Sequence, residues 1–493
     1  MDASVAGVIA TLRERPVILN PILGSLALLS LVLTLWQWLV ARRFPLHQRA
    51  IEHSFAPAVT LLKPLKGCDE ATEDCLRSWF AQDYTGRVQV LFGVASGDDP
   101  VCQIVRKLME EFSATDAQLI VCGPLLGANA KVSKLAELER LAKHDVFVIS
   151  DADVLVPPDF LANIVVPLRE SKDSGAGVSP DGAGVSPALG PRARRPNDRR
   201  DARPTKDCGL VTCFYRLANI KTLAMQWEGV AINADFWSQV LQAQSLKPID
   251  FALGAVMAIP RKQLQAIGGF SAIVDCLADD YQLGNRIARR GHRIAISPIV
   301  VECWSSPMGW KAVWKHQLRW ARTIRVCQPA PYFLSILSNA TLWPLVWAIA
   351  KPSSLSLAMT IVCLMVRIVT ALHLQSKLLG PPITVGPRAV PGSQRPRNRD
   401  DARIYSAQPG MSDALRAQLE QHKSCPPCGL DGSRFADTRA ITFSSWWLVL
   451  VKDLLQAAVW LLAFLGNRIE WRGELMRLRR DGTLTKLNVR SSP

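Results

Sequence analysis

The chain has 493 residues, of which 49% are hydrophobic and 20% are charged, and its formal net charge is +16. This length is typical of two or three domains, and the hydrophobic content excludes a uniformly disordered chain. A strong positive charge in a chain this apolar indicates either a nucleic-acid-binding protein or a membrane protein with basic residues outside the bilayer. The distribution of both residue classes along the chain decides between them.

The longest apolar segment lies near the N-terminus. Val17–Ala41 contains no charged residue and ends beside Arg42 and Arg43, and about 20 apolar residues are enough to cross a bilayer. Basic and aromatic residues typically mark the membrane interface, and a cleaved signal peptide would have a shorter apolar run. The segment therefore predicts a retained transmembrane anchor.

Further apolar segments lie toward the C-terminus. Tyr332–Ala350 and Ser353–Leu374 predict a membrane hairpin. Phe443–Leu465 is long enough to be a fourth span, but Lys452 and Asp453 fall near its middle, where charges are costly in lipid. This last helix is therefore expected to be tilted, half-buried against the other helices, or interfacial.

The basic residues around the anchor predict the orientation. Arg42, Arg43 and Arg49 begin the long loop that follows, and the excess of Lys and Arg on cytoplasmic loops places that loop in the cytoplasm. We expect an integral membrane protein with this loop on the cytoplasmic side. With four spans the basic tail after Gly466 would face outward, against the same rule, and an interfacial last helix would remove this conflict.

Short apolar runs alternate with helix-like stretches between the anchor and the hairpin. Such alternation predicts a mostly parallel α/β sheet with helices on its faces, in which ligands bind beyond the carboxyl ends of the strands. The predicted strands are Val59–Leu62, Val88–Val94, Leu119–Cys122 and Val146–Ser150. The predicted helices between them are Ala71–Gln82, Val101–Phe112 and Ser133–Lys143.

Two segments rich in proline and arginine interrupt this pattern, residues 171–207 and 376–440. They lack periodicity, which favours flexible insertions; an RNA-binding arm is the alternative, but no aromatic residues alternate with the arginines for stacking. Cys425 and Cys428 have the spacing of a zinc or redox pair, but no second pair of this spacing exists.

These segments together predict the organisation of the chain. It consists of an anchor (1–41), an α/β domain (42–329) that contains the first insertion, a hairpin (330–375), the second insertion (376–440), a fourth membrane or interfacial helix (441–466) and a basic tail (467–493).

Acidic residues follow the predicted strands at the edge where a parallel sheet presents its ligand site. Asp98 and Asp99 follow the second strand, and Asp151 and Asp153 follow the fourth. Two carboxylates on such a turn can hold a hard divalent cation, which in turn can bind a diphosphate. Aspartate is also common in turns and helix caps, so the pattern gains its weight from the strand context rather than from either residue alone.

A third acidic pair, Asp279 and Asp280, precedes the helix-like segment Gln282–Arg290. Asp280 has an aspartate and apolar residues as neighbours, and such surroundings raise the pKa of a carboxyl group, as a general base acting on an alcohol requires. Capping of the helix that follows is the structural alternative, and the two roles are compatible.

A basic and aromatic segment precedes the hairpin and contains His316, Gln317 and Trp320. Within it Arg319 and Arg322 lie three residues apart, so they share one face of a helix. A row of cations beside lipid headgroups is one interpretation. A wall that binds a diphosphate sugar and an acceptor is the other.

Several of these motifs resemble the ceramide glucosyltransferase family, a branch of the membrane-bound inverting glycosyltransferases. The resemblance covers most of the chain except the two insertions. It rests on Val59–Gly67 (VTLLKPLKG), Asp98–Pro100, Asp151, Leu277–Tyr281 (LADDY) and Leu318–Trp320 (LRW). Within the family, the bacterial hopanoid-associated glycosyltransferases are most similar, through GANAKVSKL (127–135), GLVTCFYR (209–216), HQLRWARTIR (316–325) and KDLLQAAVWLLAFLGNRIEWRG (452–473).

The resemblance implies a GT-A fold, a nucleotide-sugar donor, a divalent cation (Mg²⁺ or Mn²⁺) and Asp280 as the catalytic base. His316 stands where the last motif of the family has Gln or Arg. The implied donor-binding residues are Lys63, Asp98, Asp99, Asp151, Arg319 and Trp320. The implied metal ligands are Asp151 and Asp153. The residues assigned to the acceptor and diphosphate region are Asp279, His316, Gln317 and Arg322.

The reaction that the resemblance implies is transfer of a hexose from a UDP-sugar to a lipid hydroxyl, with inversion. The expected donor is UDP-glucose or UDP-N-acetylglucosamine, the expected acceptor is ceramide or a hopanoid, and no nucleic acid is expected as a partner. A processive polysaccharide synthase shares these aspartates but would normally need more membrane helices. A non-catalytic membrane scaffold is the remaining alternative, and it would tolerate the loss of Asp151 and Asp280 together.

Overall fold

The computed structural model describes residues 3–50, 54–169, 207–383, 446–471 and 474–487. Most of both predicted insertions, 171–207 and 376–440, lies outside the described residues, as do Cys425 and Cys428. The elements that position the site all belong to the described part.

An eight-stranded sheet forms the α/β domain, in the order β3-β2-β1-β4-β7-β6-β8-β5. The four N-terminal strands β1–β4 pair in parallel, and β7 runs antiparallel to both of its neighbours, β4 and β6. The predicted α/β class is therefore confirmed. The strands are β1 (Val59–Pro64), β2 (Val88–Val94), β3 (Asp116–Val121), β4 (Val146–Ser150), β5 (Val154–Leu155), β6 (Cys208–Leu217), β7 (Val256–Pro260) and β8 (Arg293–Cys303).

Helices cover both faces of this sheet because its strands are apolar on both faces. Along β1, for example, Leu61 belongs to one buried apolar cluster and Leu62 to the other, as the two-residue period of a strand requires. The helices of the domain are α2 (Thr72–Phe80), α3 (Val101–Glu111), α4 (Ala130–Leu141), α5 (Phe160–Ile164), α6 (Leu223–Val230), α7 (Trp237–Leu246), α8 (Arg261–Ala266), α9 (Asp279–Arg289) and α10 (Trp310–Cys327).

Helix α4 begins at Ala130, three residues before the predicted start at Ser133. The Asn129 side chain accepts hydrogen bonds from the backbone N–H groups of Lys131 (3.0 Å) and Val132 (3.2 Å), which makes Asn129 the N-cap. The earlier start brings Lys131 into the first turn of the helix, and this position matters for the site.

Among the described residues, three of the four predicted apolar segments form single helices that are long and apolar enough to cross a membrane. The fourth is a pair of shorter helices bent by 55° at a short break, and the pair together is a further candidate span. The first predicted hairpin segment is this bent pair, Pro329–Ser338 and Leu342–Ala350. The helices are α1 (Ala3–Arg43), α11 (Pro329–Leu334), α12 (Leu342–Ala350), α13 (Ser354–Leu379) and α14 (Trp446–Phe464).

Helix α14 lies along a helical segment of the α/β domain. That segment consists of α6, a π-helix over Ala231–Phe236 and α7, which follow one another without a break. Near its start α14 packs against Val230 and Ala234, and near its end against Ala224 and Trp227. The two helical segments therefore run antiparallel, and both ends of α14 contact the same element of the α/β domain.

The two charges predicted in the middle of this helix are buried in an ion-pair network. Arg367 of α13 contacts Asp453 (Nε–Oδ2, 2.8 Å) and Asp235 of the π-helix (Nη2–Oδ2, 2.7 Å). Lys452 pairs with both aspartates. Two cations thus face two carboxylates, which neutralises groups that would be costly to bury alone. The network ties α13 and α14 to the α/β domain.

The basic tail forms a small antiparallel sheet that the sequence analysis did not predict. Its strands are β9 (Arg468–Trp471), β10 (Glu474–Leu478) and β11 (Leu484–Lys486). Ile469, Met476 and Leu484 are buried in this sheet and pack against Leu277, which lies just before the predicted catalytic pair. The C-terminal sheet is therefore part of the site's surroundings.

The charge balance of the ion-pair network leads to a prediction about stability. Arg367→Met leaves two carboxylates opposite one buried ammonium, and we expect it to destabilise the protein by about 3–5 kcal/mol. The double variant Arg367→Met with Asp453→Leu leaves the neutral pair Lys452–Asp235 and should lose less stability than the single variant. Thermal unfolding of the purified full chain in detergent measures both. A double variant that unfolds at or below the midpoint of the single variant would contradict this account.

Candidate active site

Three neighbouring strands bring the predicted acidic residues to one edge of the sheet. Strands β2, β1 and β4 are adjacent and parallel, so the loops after them lie side by side. The Asp99 carboxylate accepts hydrogen bonds from the backbone N–H of Gly67 (3.0 Å) and of Val101 (3.1 Å). Asp99 therefore ties the loop after β1 to the start of α3, while Asp98 beside it is exposed.

Lys63 supports the Asp151 turn from within the sheet. Its side chain is fully buried in β1, and its ammonium group donates to the backbone carbonyl of Asp151 (2.6 Å) and to the Ser150 hydroxyl (3.3 Å). Burial lowers the pKa of Lys63 to about 8. Lys63 thus holds the main chain of the turn in place, and its ammonium group is already engaged there.

A cation bridges two of the predicted acidic motifs. Lys131 Nζ lies 2.7 Å from Asp151 Oδ1 and 2.9 Å from Asp279 Oδ2. Burial by itself would lower the pKa of Lys131, but the charges of Asp151 and Asp279 outweigh it and hold the pKa above its ordinary value. The structure therefore joins the motif after β4 to the motif at the start of α9 through one ammonium group.

Sequence reasoning did not single out Lys131 as a site residue. It occupies the first turn of α4, where the helix dipole disfavours a cation. A lysine two residues after an Asn N-cap, at the start of the helix that follows a strand of a parallel sheet, was the available signal. A cation at a helix N-terminus, where the helix dipole disfavours it, indicates a partner of opposite charge elsewhere in the fold.

Asp280 lies in surroundings that favour its neutral form. Burial and the adjacent charge of Asp279 raise the pKa of Asp280 to about 7, although Lys131 acts in the opposite direction. Its Oδ1 atom accepts a hydrogen bond from the backbone N–H of Tyr281 (2.7 Å). A Cβ atom added at Gly254 would lie 2.9 Å from Asp280 Oδ2, so the absence of a side chain at Gly254 makes room for this carboxylate.

Neither Asp279 nor Asp280 is the N-cap of the helix that follows. Helix α9 begins at Asp279, and its N-cap is Ala278, which has no side-chain cap. Asp279 and Asp280 lie in the first turn, where carboxylates interact favourably with the helix dipole. They therefore contribute to the helix start and also face Lys131 and the site.

The loop before Asp279 is held from two sides. The Asn129 side chain donates to the Cys276 carbonyl (2.8 Å). From the C-terminal sheet, the Leu484 N–H donates to the Asp275 carbonyl (2.8 Å), and the Gly482 carbonyl accepts from Leu277 N–H (3.2 Å). These main-chain hydrogen bonds fix the approach to Asp280 without using its side chain.

Asp151 and Asp153 have the donor chemistry that a divalent cation requires. Loss of hydration among the surrounding protein groups and the charge of Asp151 raise the pKa of Asp153 to about 6. A cation would relieve this repulsion, and hard divalent cations prefer carboxylate oxygen. Within the described residues, no three His, Cys, Asp or Glu side chains form a complete metal-binding group. The two aspartates therefore fit a cation whose other ligands come from the substrate and water.

The predicted basic and aromatic segment is helix α10, and its polar residues anchor it to α6. His316 Nδ1 lies 2.6 Å from Glu228 Oε1, and the Gln317 side chain donates to the same oxygen (2.9 Å). Glu228 is buried. His316 and Gln317 are therefore engaged in packing α10 against the α/β domain, and Glu228 is a residue that sequence reasoning missed.

Trp320 belongs to an aromatic row that leads back to the acidic site. Its ring centroid lies 4.7 Å from that of His316 and 6.1 Å from that of Phe236, and Phe236 lies 5.5 Å from Tyr215. Burial raises the pKa of Tyr215, and the charge of Asp280 contributes in the same direction. The row connects α10 with the surroundings of Asp280.

The two arginines of α10 lie against the C-terminal sheet. Arg319 and Arg322 line a cavity that Arg468 and Glu470 of β9 also line. Arg322 Nη1 donates a hydrogen bond to the carbonyl of Arg468. The structure thus brings Asp151, Asp279, Asp280 and Lys131 together directly, whereas Arg319 and Arg322 face a separate cavity.

A model of one protein family matches most of the chain. The model of glycosyl transferase family 21 matches residues 22–178, 202–390 and 431–484. The matched segments contain the second half of α1, the whole α/β sheet, α13, α14, and strands β9 and β10 of the C-terminal sheet.

Curated relatives resemble parts of the chain. Ceramide glucosyltransferase 3 of Caenorhabditis elegans is 22% identical over 255 residues, which are 52% of this chain and 48% of the relative. Ceramide glucosyltransferase of Candida albicans is 32% identical over 122 residues, 22% of each chain. The chain thus spans about half the length of the first relative and less of the second.

Among solved structures, a mannosyltransferase from Pyrobaculum calidifontis in complex with GDP-Man and Mn²⁺ is 21% identical to this chain. The match covers 73% of this chain and 96% of that one, with a TM-score of 0.44. Because the family model matches most of its length, this chain belongs to glycosyl transferase family 21.

Proposed function

We propose that this chain is a membrane-bound inverting hexosyltransferase that moves a hexose from a UDP-sugar to a lipid hydroxyl. The donor would be UDP-glucose or UDP-N-acetylglucosamine, and the product a glucosylceramide or a hopanoid glycolipid. The observation that carries the proposal is the position of Asp280. This carboxylate, with a pKa raised to about 7, lies beside an acidic pair bridged by Lys131 at the ligand-binding edge of the sheet.

Asp280 is the base of the proposed reaction. A base is most effective when its pKa is near the working pH, because it is then deprotonated and still a good proton acceptor. Asp280 would take the proton of the lipid hydroxyl while the hydroxyl oxygen attacks the anomeric carbon. The bond from that carbon to the diphosphate oxygen breaks on the opposite side, which inverts the configuration.

The donor diphosphate would lie next to Asp151 and Lys131. Asp151 and Asp153 would hold a divalent cation, Mg²⁺ or Mn²⁺, which stabilises the charge on the leaving diphosphate. Lys131 keeps Asp151 and Asp279 in fixed positions. The exposed Asp98 would contact the nucleotide, and Asp99 beside it accepts hydrogen bonds that hold the loop after β1 and the start of α3.

The lipid would approach along the side of the domain that carries the apolar helices. Helix α1 packs against α7, where Gln37 donates to the Ser238 hydroxyl (2.7 Å) and the Leu33 carbonyl accepts from Gln242 (3.0 Å). Trp320 begins the aromatic row that continues through Phe236, the residue before α7, to Tyr215, whose pKa the charge of Asp280 helps to raise. A lipid hydroxyl reaching Asp280 by this route would keep its chains among the membrane helices.

A substrate panel tests the proposed reaction. We expect membranes containing the chain to transfer labelled hexose from UDP-glucose or UDP-N-acetylglucosamine to ceramide or a hopanoid, one sugar per lipid. Thin-layer chromatography with mass spectrometry identifies the product. A ladder of long saccharides would instead indicate a processive synthase, and no transfer with any combination would favour a scaffold.

The dependence of turnover on pH should show the titration of Asp280 on its acidic side. Because the base must be deprotonated, turnover should fall as the pH drops through the raised pKa of Asp280, near 7 rather than near the ordinary aspartate value. The charged or titratable groups around Asp280 are Asp279, Lys131, Asp151, Tyr215 and Cys327. The rate of turnover measured across this pH range checks the prediction.

The substitution Asp280→Asn removes the proposed base. It should lower kcat by about 10²–10⁴-fold and largely preserve UDP binding measured by calorimetry. An Asp280→Asn variant with wild-type kcat would rule out this base.

Gly254 offers a second test of the same carboxylate. In Gly254→Ala the new Cβ displaces Asp280 Oδ2, and misplacing a catalytic group by about 1 Å can cost about a hundredfold in rate. The unfolding temperature should change little, because the atom that must move is the end of a side chain. Gly309→Ala is the matched control, since a Cβ there meets no atom within 4 Å. Equal turnover of the two variants would show that the position of this oxygen does not matter.

A further inference from the structure

A cavity lies between α10 and the C-terminal sheet, outside the acidic site. Its volume is about 190 Å³, enough for a phosphate group and part of its ester. One face of α10 contributes two arginines and a lysine, and β9 contributes Arg468 and Glu470. The lining residues are Lys315, Leu318, Arg319, Arg322, Arg468, Ile469, Glu470 and Leu475.

The cations of this cavity outnumber its carboxylates. Glu470 is the only acidic lining residue, and it pairs with Lys315. Within the described part of the chain, neither Arg322 nor Arg468 forms an ion pair. The buried Nε atom of Arg322 also has no hydrogen-bond partner there. Burial and the neighbouring charge of Arg325 lower the pKa of Arg322, as expected for a cation that lacks an anion.

The side chain of Arg468 is not needed to hold the sheet in place. Arg322 reaches the C-terminal sheet through the main-chain carbonyl of Arg468, and Arg325 reaches it through the side chain of Asn467. Strand β9 pairs with β10 through its main chain. Arg468 is exposed and lines the cavity. A bound anion would account for a cation at this position, whereas the packing of the sheet does not require one.

Residues next to the cavity have the pattern of a membrane interface. The apolar helix α14 ends at Phe464, four residues before Arg468. Arg325 lies over the Phe464 ring (5.6 Å), and the Trp460 ring contacts the Phe464 ring edge-to-face (centroids 5.1 Å apart). Phe333 is 59% exposed. Aromatic and basic residues with exposed apolar side chains are typical of the depth at which lipid headgroups lie.

We propose that the cavity between α10 and the C-terminal sheet binds the headgroup phosphate of an anionic phospholipid through Arg322 and Arg468. A phosphate oxygen accepts hydrogen bonds from guanidinium groups, which bind phosphate in a bidentate geometry. The acyl chains of the same lipid would lie against Phe333 and Phe464. Binding at this position would secure the C-terminal sheet, which also holds the loop before Asp279.

Lipid binding by the purified full chain tests the proposal without measuring turnover. Native mass spectrometry in detergent, with added phosphatidylglycerol or phosphatidylcholine, should show one site that prefers phosphatidylglycerol. Arg468→Gln should weaken this site about fivefold. Arg480→Gln, which removes the same charge from an exposed position of the same tail, should leave it unchanged. Matching unfolding temperatures would show that the variants are folded.

The remaining outcomes separate the sources of the phosphate. Competition by glycerol 3-phosphate that is lost in Arg468→Gln would support phosphate recognition by the cavity. Inorganic phosphate binding that depends on Arg468, together with equal phosphatidylglycerol binding by all variants, would overturn the lipid proposal in favour of a free phosphate. Displacement of the lipid by UDP would overturn it by assigning the cavity to the donor. If Arg468→Gln and Arg480→Gln weaken phosphatidylglycerol binding equally, the binding is a general attraction between opposite charges and the proposed site is overturned.

Discussion

The site depends on one ammonium group that holds together two carboxylates from distant parts of the chain. Without Lys131, Asp151 and Asp279 would repel each other across a partly buried space, and Asp280 would add a third negative charge. Lys131 attracts both of these carboxylates and offsets part of their charge, while burial and the charge of Asp279 raise the pKa of Asp280. Three similar side chains thus have different electrostatic surroundings, and the position of one cation is part of the reason.

The same principle operates where the long apolar helices meet the α/β domain. Arg367 and Lys452 face Asp235 and Asp453, and no charge of this group lacks an opposite partner. Because a lone buried charge is far more costly than a pair, the four residues specify one arrangement of α13, α14 and the π-helix. The domain is therefore joined to its apolar helices by directional contacts as well as by apolar packing.

The C-terminal sheet connects the two regions. It follows α14 directly, packs its apolar residues against Leu277, and exchanges main-chain hydrogen bonds with the loop before Asp279. On its other side it receives the arginines of α10. This element near the end of the given sequence thus contacts both the loop before the acidic pair and the segment that precedes the apolar helices.

Most of the sheet could be predicted because each of its strands is a short apolar run between polar breaks. Strands β2 and β4 have the predicted bounds, and the acidic motifs follow β2 and β4 as expected. The C-terminal sheet escaped prediction because its strands are only three to five residues long, with apolar residues too few to give a clear period. The start of α4 was misplaced because its cap, Asn129, lies before the apolar periodicity begins.

The sequence by itself determined the α/β class, the apolar helices, the family and the acidic residues at the edge of the sheet. These properties depend on local patterns and on motifs that neighbouring residues complete. The tertiary structure alone decided which charges meet. Arg367 and Asp235 are 132 positions apart, and Lys131 reaches both Asp151 and Asp279. Such pairings depend on how distant elements pack, and no local pattern records that.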